Sequence, residues 1–261
     1  MEQKEIEQKE IKLDLNKQQL PYELIKADAE QRGLEPMWHF GEQVSLRFAT
    51  EDSVVVKFVG GSDFKTWVNE AYQISSATWT NKVIEKTYEE KLESVKKERY
   101  PTVPFECFTF TIAIENVSRA ILAQIQRHRG LYLHQFGYGE LSTRNTDLRK
   151  CVIRIPKTVL KSQQFTKEYY KVMTDLMKFY AKMVDAKVPL EEARMVAPLG
   201  LCTYVTMTGN ARTWIDYFNS RTNDITQYEH TVLVEKIINV FKEHYPEMWE
   251  IIQPKLKVFN K

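Results

Sequence analysis

The chain changes period between residues 108 and 129. FTFTIAI (108–114) alternates apolar and polar residues, as a half-buried strand does. ENVSRAILAQIQRHR (115–129) then places apolar residues at Val117, Ile121, Leu122 and Ile125, the stripe of a helix with one buried face. Similar patterns flank this switch. VSLRFA (44–49) and VVVKFV (54–59), joined by TEDS, read as a hairpin, and Gly60-Gly61 ends it. Ser62 or Asp63 could cap a helix entering FKTWVNEAYQI. Lys82 to Lys97 is charged and helical, RYPTVPFE (99–106) interrupts it with two prolines, and CVIRI (151–155) reads as a strand.

The second half is mostly helical. FTKEYYKVMTDLMKFYAKMV (165–184), LEEARMVAPL (190–199), RTWIDYFNSR (212–221) and EHTVLVEKIINVFKEHY (229–245) have helical period, while LCTYVTMTGN (201–210) alternates. Pro21 to Arg32 reads as a helix closed by Gly33. Residues 1–20, rich in Glu, Lys and Gln, form either a solvated helix or a disordered segment. Together these give a mixed α+β domain with an N-terminal extension, and the 43% hydrophobic content is enough for one substantial core.

Charge and cysteine usage narrow the function. With 37 basic and 35 acidic residues the net charge is +2, which does not indicate a general nucleic-acid binder. Cys107, Cys151 and Cys202 lie far apart without a CxxC pair, so no metal site is expected and a reducing, cytoplasmic setting is. No apolar run is long enough to span a membrane, and no secretory signal opens the chain. Cys202 and Cys107 read as packing residues, the latter with a redox role as the alternative. His230 and His244 read as ordinary helix residues, and Trp214 and Tyr217 as facing a subunit contact or the core.

Against this even charge balance, QIQRHRGLYLHQFGYGELSTR (124–144) holds three arginines, Arg127, Arg129 and Arg144. Gln124, Arg127 and His128 stand at i, i+3 and i+4, on one face of the predicted helix end. Cations there suit the helix dipole, so a capped helix end is one reading. Glu140, Ser142 and Arg144 alternate, and in an extended strand would point the same way. A carboxylate, a hydroxyl and a guanidinium on one face suit a sugar phosphate. A second cluster contains Arg194, Asn210, Arg212, Asp216 and Arg221, followed by Gln227 and Glu229. Arg212 and Asp216, four apart, could form a simple surface salt bridge.

PFECFTFTIAIENVSRAILAQIQRHR, ELSTR, EEARMVAPL and NARTWIDYFNSRTNDITQYE, in that order, resemble the flavin-dependent thymidylate synthase family over roughly residues 54–250. The resemblance implies a central mixed β-sheet flanked by helices, with residues 1–50 as an extension and 51–261 as the catalytic domain. It implies a homotetramer with shared active sites, FAD as cofactor, NADPH and methylenetetrahydrofolate as co-substrates, and dUMP as the pyrimidine deoxynucleotide. Neither nucleic acid nor membrane is an expected partner. By position, Arg127, His128, Arg129, Asn210, Arg212, Asp216 and Glu106 would hold FAD. Gln124 and Arg127 would serve the nucleotide site of the partner subunit. Glu140, Ser142, Thr143, Arg144, Arg194 and Arg221 would surround dUMP, with Arg221 and Ser142 as the catalytic candidates. Arg221 matches the arginine implicated in ionising the uracil ring.

The chain departs from the family pattern in places. Ser142 lies thirteen residues after Arg129 where the pattern has eight, the position of Gly137, which reads as a five-residue insertion. Gly139 replaces an asparagine, Pro101 and Ile225 replace histidines, Val103 replaces a threonine, and Asp216 replaces a flavin-contacting asparagine. His134, inside the insertion, either replaces a lost imidazole or is a plain loop residue. Three activities follow as expectations: reductive methylation of dUMP to dTMP, C5-hydroxymethylation of dUMP or dCMP, or non-catalytic binding of nucleotide or RNA.

Overall fold

The structure is a computed structural model that describes residues 37–40, 44–76, 86–97, 103–128 and 137–257. The helix expected over 21–32 lies outside these residues, as do Pro101, Arg129 and His134. In chain order the first elements are β1 (Met37–Phe40), β2 (Val44–Ala49), β3 (Val55–Gly61), α1 (Phe64–Ser76), α2 (Tyr88–Lys96), α3 (Val103–Cys107), β4 (Thr109–Ser118) and α4 (Arg119–Ile125). Then come β5 (Gly137–Glu140), β6 (Lys150–Arg154), α5 (Lys157–Leu160), α6 (Gln163–Asp185), α7 (Leu190–Ala193), β7 (Cys202–Asn210), α8 (Ala211–Arg221), α9 (Tyr228–His244) and α10 (Pro246–Ile252). The class is α+β, as expected. Among the described residues no helix is long and apolar enough to cross a membrane.

The chain divides into two compact units, each discontinuous in sequence. The first contains residues up to Val54, 116–120 and 141–204. Its sheet has the order β1-β2-β6, with β1 antiparallel and β6 parallel to β2. The long helix α6 covers this sheet. Ser162 caps it by accepting a hydrogen bond from the Phe165 N–H, and Thr166, Tyr170, Thr174, Met177 and Ala181 form its buried stripe. Leu46 and Phe48 of β2 and Ile153 of β6 pack against that stripe, with the Phe48 and Tyr170 rings edge-to-face at 4.4 Å.

The expected hairpin between 44–49 and 54–59 does not form. β2 pairs with β1 and β6, while β3 pairs with β4 in the other unit's sheet. Residues 51–53 make a 3-10 turn whose polar groups are engaged elsewhere. The buried Arg154 guanidinium donates to the carbonyls of Ala49, Thr50 and Asn116 and to the Ser53 hydroxyl. The Glu51 carboxylate accepts the Lys157 N–H at 3.2 Å.

The second unit contains residues 55–115, 121–140 and 205–261. Its sheet has the order β3-β4-β7-β5, with β3 antiparallel to β4 and β5 antiparallel to β7. Phe110, Ile112 and Ile114 of β4 are fully buried with Trp214 and Phe218 of α8 and Phe241 of α9. The Trp214 indole N–H donates to the Phe110 and Gly209 carbonyls at 3.2 Å, which satisfies its polar edge inside the aromatic core. Gly61 must be glycine, because a Cβ there would stand 2.6 Å from the Thr109 carbonyl oxygen and collide with the Tyr245 hydroxyl. The cap of α1 is Asp63, whose carboxylate accepts the Thr66 N–H at 2.8 Å, whereas Ser62 accepts from the Thr109 N–H.

Three boundaries differ from expectation. Glu115 to Ser118 extend β4 instead of opening the helix, so Val117 is buried from a strand and α4 begins at Arg119. Asn116, at φ 58°, has a left-handed backbone within that strand. The helix expected over 190–199 ends at Ala193, and 194–196 tighten into a 3-10 turn. The ELSTR segment is extended only through Glu140. Residues 143–145 form a turn in which the Ser142 hydroxyl accepts the Arg144 N–H at 3.3 Å, so Glu140, Ser142 and Arg144 do not share a strand face.

Candidate functional site

The predicted site residues divide between the two units. The second unit holds Glu106, Gln124, Arg127, His128, Glu140, Asn210, Arg212, Asp216 and Arg221, and the first holds Ser142, Thr143, Arg144 and Arg194.

In the second unit, β7 runs directly into α8. Asn210 caps the helix, its side-chain oxygen accepting the Thr213 N–H and hydroxyl at 2.9 Å. This fixes Arg212 in the first turn, where it donates to Glu106 of α3 at 2.5 Å. The i,i+4 pair with Asp216 expected from spacing thus gives way to a tertiary pair with Glu106, which the sequence placed separately on FAD. Arg221 ends the same helix two and a half turns later. Its Nε donates to His128 Nε2 at 2.7 Å. His128 and Arg127 lie just past α4 instead of on it. Their N–H groups bond back to Gln124 and Ile125 carbonyls.

An acceptor nitrogen makes His128 neutral. Burial, and then the adjacent Arg221 cation, push its imidazole down to about 4. Arg221 therefore donates to a neutral ring and keeps its positive charge uncompensated by that partner. It also lines an open cleft of about 650 Å³ with Asn223, Thr226, Tyr228 and Lys242.

Sequence reasoning missed what stands behind these residues. His230, taken as an ordinary helix residue, is fully buried. Its Nε2 lies 2.8 Å from the Tyr217 hydroxyl and its Nδ1 3.1 Å from Gln124 Oε1. Burial first, then Arg221 and His128, push it down to about 3. Tyr217 is also fully buried, in the core with Trp214, and burial raises its phenol. The available signal was period: His230, Leu233, Val234, Ile237 and Phe241 share the buried stripe of α9.

In the first unit, Thr143 is buried and its hydroxyl accepts from Arg194 Nη1 at 3.0 Å. Arg194 also donates from Nε to the Glu191 carbonyl at 3.3 Å. Thr143 thus holds an arginine in place, while Ser142 and Arg144 are exposed. Cys107 is exposed, not packed. Burial pushes the Cys151 thiol up to about 12, which removes it as a thiolate nucleophile at neutral pH. His244 stacks on Phe58 with centroids at 4.2 Å.

The two depressed histidines make stability depend on pH. Both are neutral in the folded chain, whereas the unfolded chain titrates near the ordinary 6.5. Below that value the unfolded state binds protons that the folded state refuses. Stability is therefore complete above about pH 6.5 and is lost as pH falls toward about 4 for His128 and about 3 for His230. Urea midpoints are expected to fall steadily from pH 7 to pH 5, with the slope reduced in His128→Asn. A flat profile would contradict the neutral assignment.

The chain as a whole is similar to known proteins. The profile of the thymidylate synthase complementing protein family matches residues 44–247. A probable flavin-dependent thymidylate synthase of Paramecium bursaria Chlorella virus 1 is 27% identical over 188 residues, covering 68% of this chain and 86% of the relative. The flavin-dependent thymidylate synthases of Geobacter sulfurreducens and Saccharolobus solfataricus are 28% and 27% identical, each over 56% of this chain. Those alignments span 62% and 54% of the two relatives' own lengths. The resemblance read from the four sequence blocks is thereby confirmed. With a match running from Val44 to Glu247, through both arginine clusters, the chain belongs to the thymidylate synthase complementing protein family.

Proposed function

We propose that this chain is a cytoplasmic, homotetrameric enzyme that reductively methylates dUMP at C5 to dTMP, with methylenetetrahydrofolate as carbon donor and NADPH as reductant. It is a flavin-dependent, thymidylate synthase-like methyltransferase, and FAD is its cofactor. The observation that carries the reading is Arg221, a half-buried cation held on a neutral imidazole at the edge of a cleft.

The donor set fits FAD. Arg127 and Arg212 supply cationic hydrogen-bond donors suited to a diphosphate, and Glu106 and Asp216 supply acceptors for hydroxyls and ring N–H groups. Arg127, His128, Arg129, Asn210, Arg212, Asp216 and Glu106 would hold it. When bound, it supplies the hydride that no side chain can provide. The chain's own residues do the rest. Arg221 beside the uracil imide lowers the N3 pKa and raises electron density at C5. Arg194, braced by Thr143, binds the nucleotide's phosphate with Arg144 and Ser142, and Glu140 accepts sugar hydroxyls. Gln124 and Arg127 serve the partner subunit's nucleotide.

A second reading, C5-hydroxymethylation of dUMP or dCMP with water ending the reaction, is favoured by the altered flavin side. Ile225 stands 94% exposed where the family pattern has a histidine. The test is the mass of the product from an equal mixture of dUMP and dCMP with FAD, NADPH and methylenetetrahydrofolate. Thymidylate alone supports the first reading. A hydroxymethyl-sized increment, or a product from dCMP, replaces it with the second.

A further inference from the structure

Behind Gln124 the second unit builds a one-way chain of hydrogen bonds from buried groups. The Gln124 amide donates from Nε2 to Gln227 Oε1 at 2.7 Å, so its oxygen faces His230 Nδ1 at 3.1 Å. An oxygen there needs a donor, which places the imidazole proton on Nδ1. Nε2 is then a bare acceptor, 2.8 Å from the Tyr217 hydroxyl, which must donate. A doubly protonated ring is opposed by burial and by the nearby Arg221 guanidinium. Both Tyr217 and His230 are fully buried, so neither can exchange this arrangement for water. The His128 ring packs edge-on against Tyr217 with centroids at 4.9 Å, and holds the phenol from the other side.

The consequence falls on Gln124. A glutamine amide can present either end to a ligand, and the two ends differ little in shape. Here the order Tyr217 O–H to His230, His230 N–H to Gln124 and Gln124 N–H to Gln227 fixes which end is which. The amide nitrogen has a second hydrogen, suited to an acceptor oxygen on a nucleotide.

We propose that Tyr217 and His230 are positioning residues that lock Gln124 as a hydrogen-bond donor toward an acceptor oxygen of the pyrimidine nucleotide. The proposal rests on the reading that Gln124 contributes to a nucleotide site. The informative variant is Tyr217→Phe, which keeps the ring in the aromatic core and removes only the hydroxyl. Without that donor, His230 can move its proton to Nε2, and its bare Nδ1 then favours the flipped amide.

Two readouts test this. Nitrogen-15 spectroscopy of the imidazoles is expected to show His230 protonated on Nδ1 in the wild type and shifted toward Nε2 in Tyr217→Phe. Calorimetry with dUMP is expected to show a Kd weakened roughly tenfold in Tyr217→Phe, the scale of one lost hydrogen bond. FAD content should be nearly unchanged, and melting should fall by only a few °C, the effect of one buried ring nitrogen losing its partner. Wild-type protein that binds dUMP while Tyr217→Phe binds it equally well overturns the proposal. A wild-type His230 protonated on Nε2 overturns it without reference to any nucleotide. Wild-type protein that shows the Nδ1 proton but binds neither dUMP nor dCMP sinks the nucleotide reading, and the proposed role of the amide with it.

Discussion

Arg221→Gln is expected to lower kcat about a thousandfold, with FAD still bound. Glutamine keeps a donor within reach of His128 but removes the charge. Arg221 is half-buried, and its Nε bonds a neutral imidazole rather than a carboxylate. In the proposed role such a cation would act on the uracil ring with little screening, and removing such a group from a site typically costs on the order of 3–4 kcal/mol of transition-state stabilisation. Arg221→Lys keeps the charge without the planar fork and should fall between the two. If the cation acts by promoting imide ionisation, residual Arg221→Gln activity should rise with pH more steeply than that of the wild type. More than a tenth of wild-type activity in Arg221→Gln would refute this role.

Arg154→Met should lower the melting temperature by about 10 °C without changing kcat at low temperature. Arg154 is only 3% exposed and donates to three main-chain carbonyls and the Ser53 hydroxyl. Methionine fills similar volume but leaves those acceptors buried without a donor. Breaking such an arrangement from one side costs roughly 3–5 kcal/mol. At about 2–4 °C per kcal/mol for a chain of this size, a shift near 10 °C follows. Scanning calorimetry decides it, and a loss under 3 °C would show that the turn at 51–53 finds other donors or opens to water.

The sequence made visible those features that depend on neighbouring residues. The strands 109–118 and 202–210 and the helices 163–185, 211–221 and 228–244 follow their hydrophobic periods closely. The start of α4 did not, because Val117 fits either period and the left-handed backbone of Asn116 leaves no apolar signature. The pairing of β2 was hidden for another reason. Its partner β6 lies a hundred residues away, while the nearest strand-like run follows it directly. The arginines of the site were legible because their order and spacing are local. What holds them was not. Glu106 with Arg212, Thr143 with Arg194 and Tyr217 with His230 are tertiary pairs, and a histidine on a buried helix stripe resembles an exposed one until the stripe is traced.

Each unit is assembled from separated stretches, the chain passing between units at 54/55, 115/116, 120/121, 140/141 and 204/205. That layout imposes a waiting time during synthesis. β2 emerges with Leu46 and Phe48, yet β6 and the α6 stripe that cover them follow about a hundred residues later. At roughly 5–20 residues per second, those two side chains stay uncovered for on the order of ten seconds. The nascent chain is thus exposed to chaperones and to mispairing for longer than one built from sequence-local hairpins, and a terminal truncation cannot excise either unit intact.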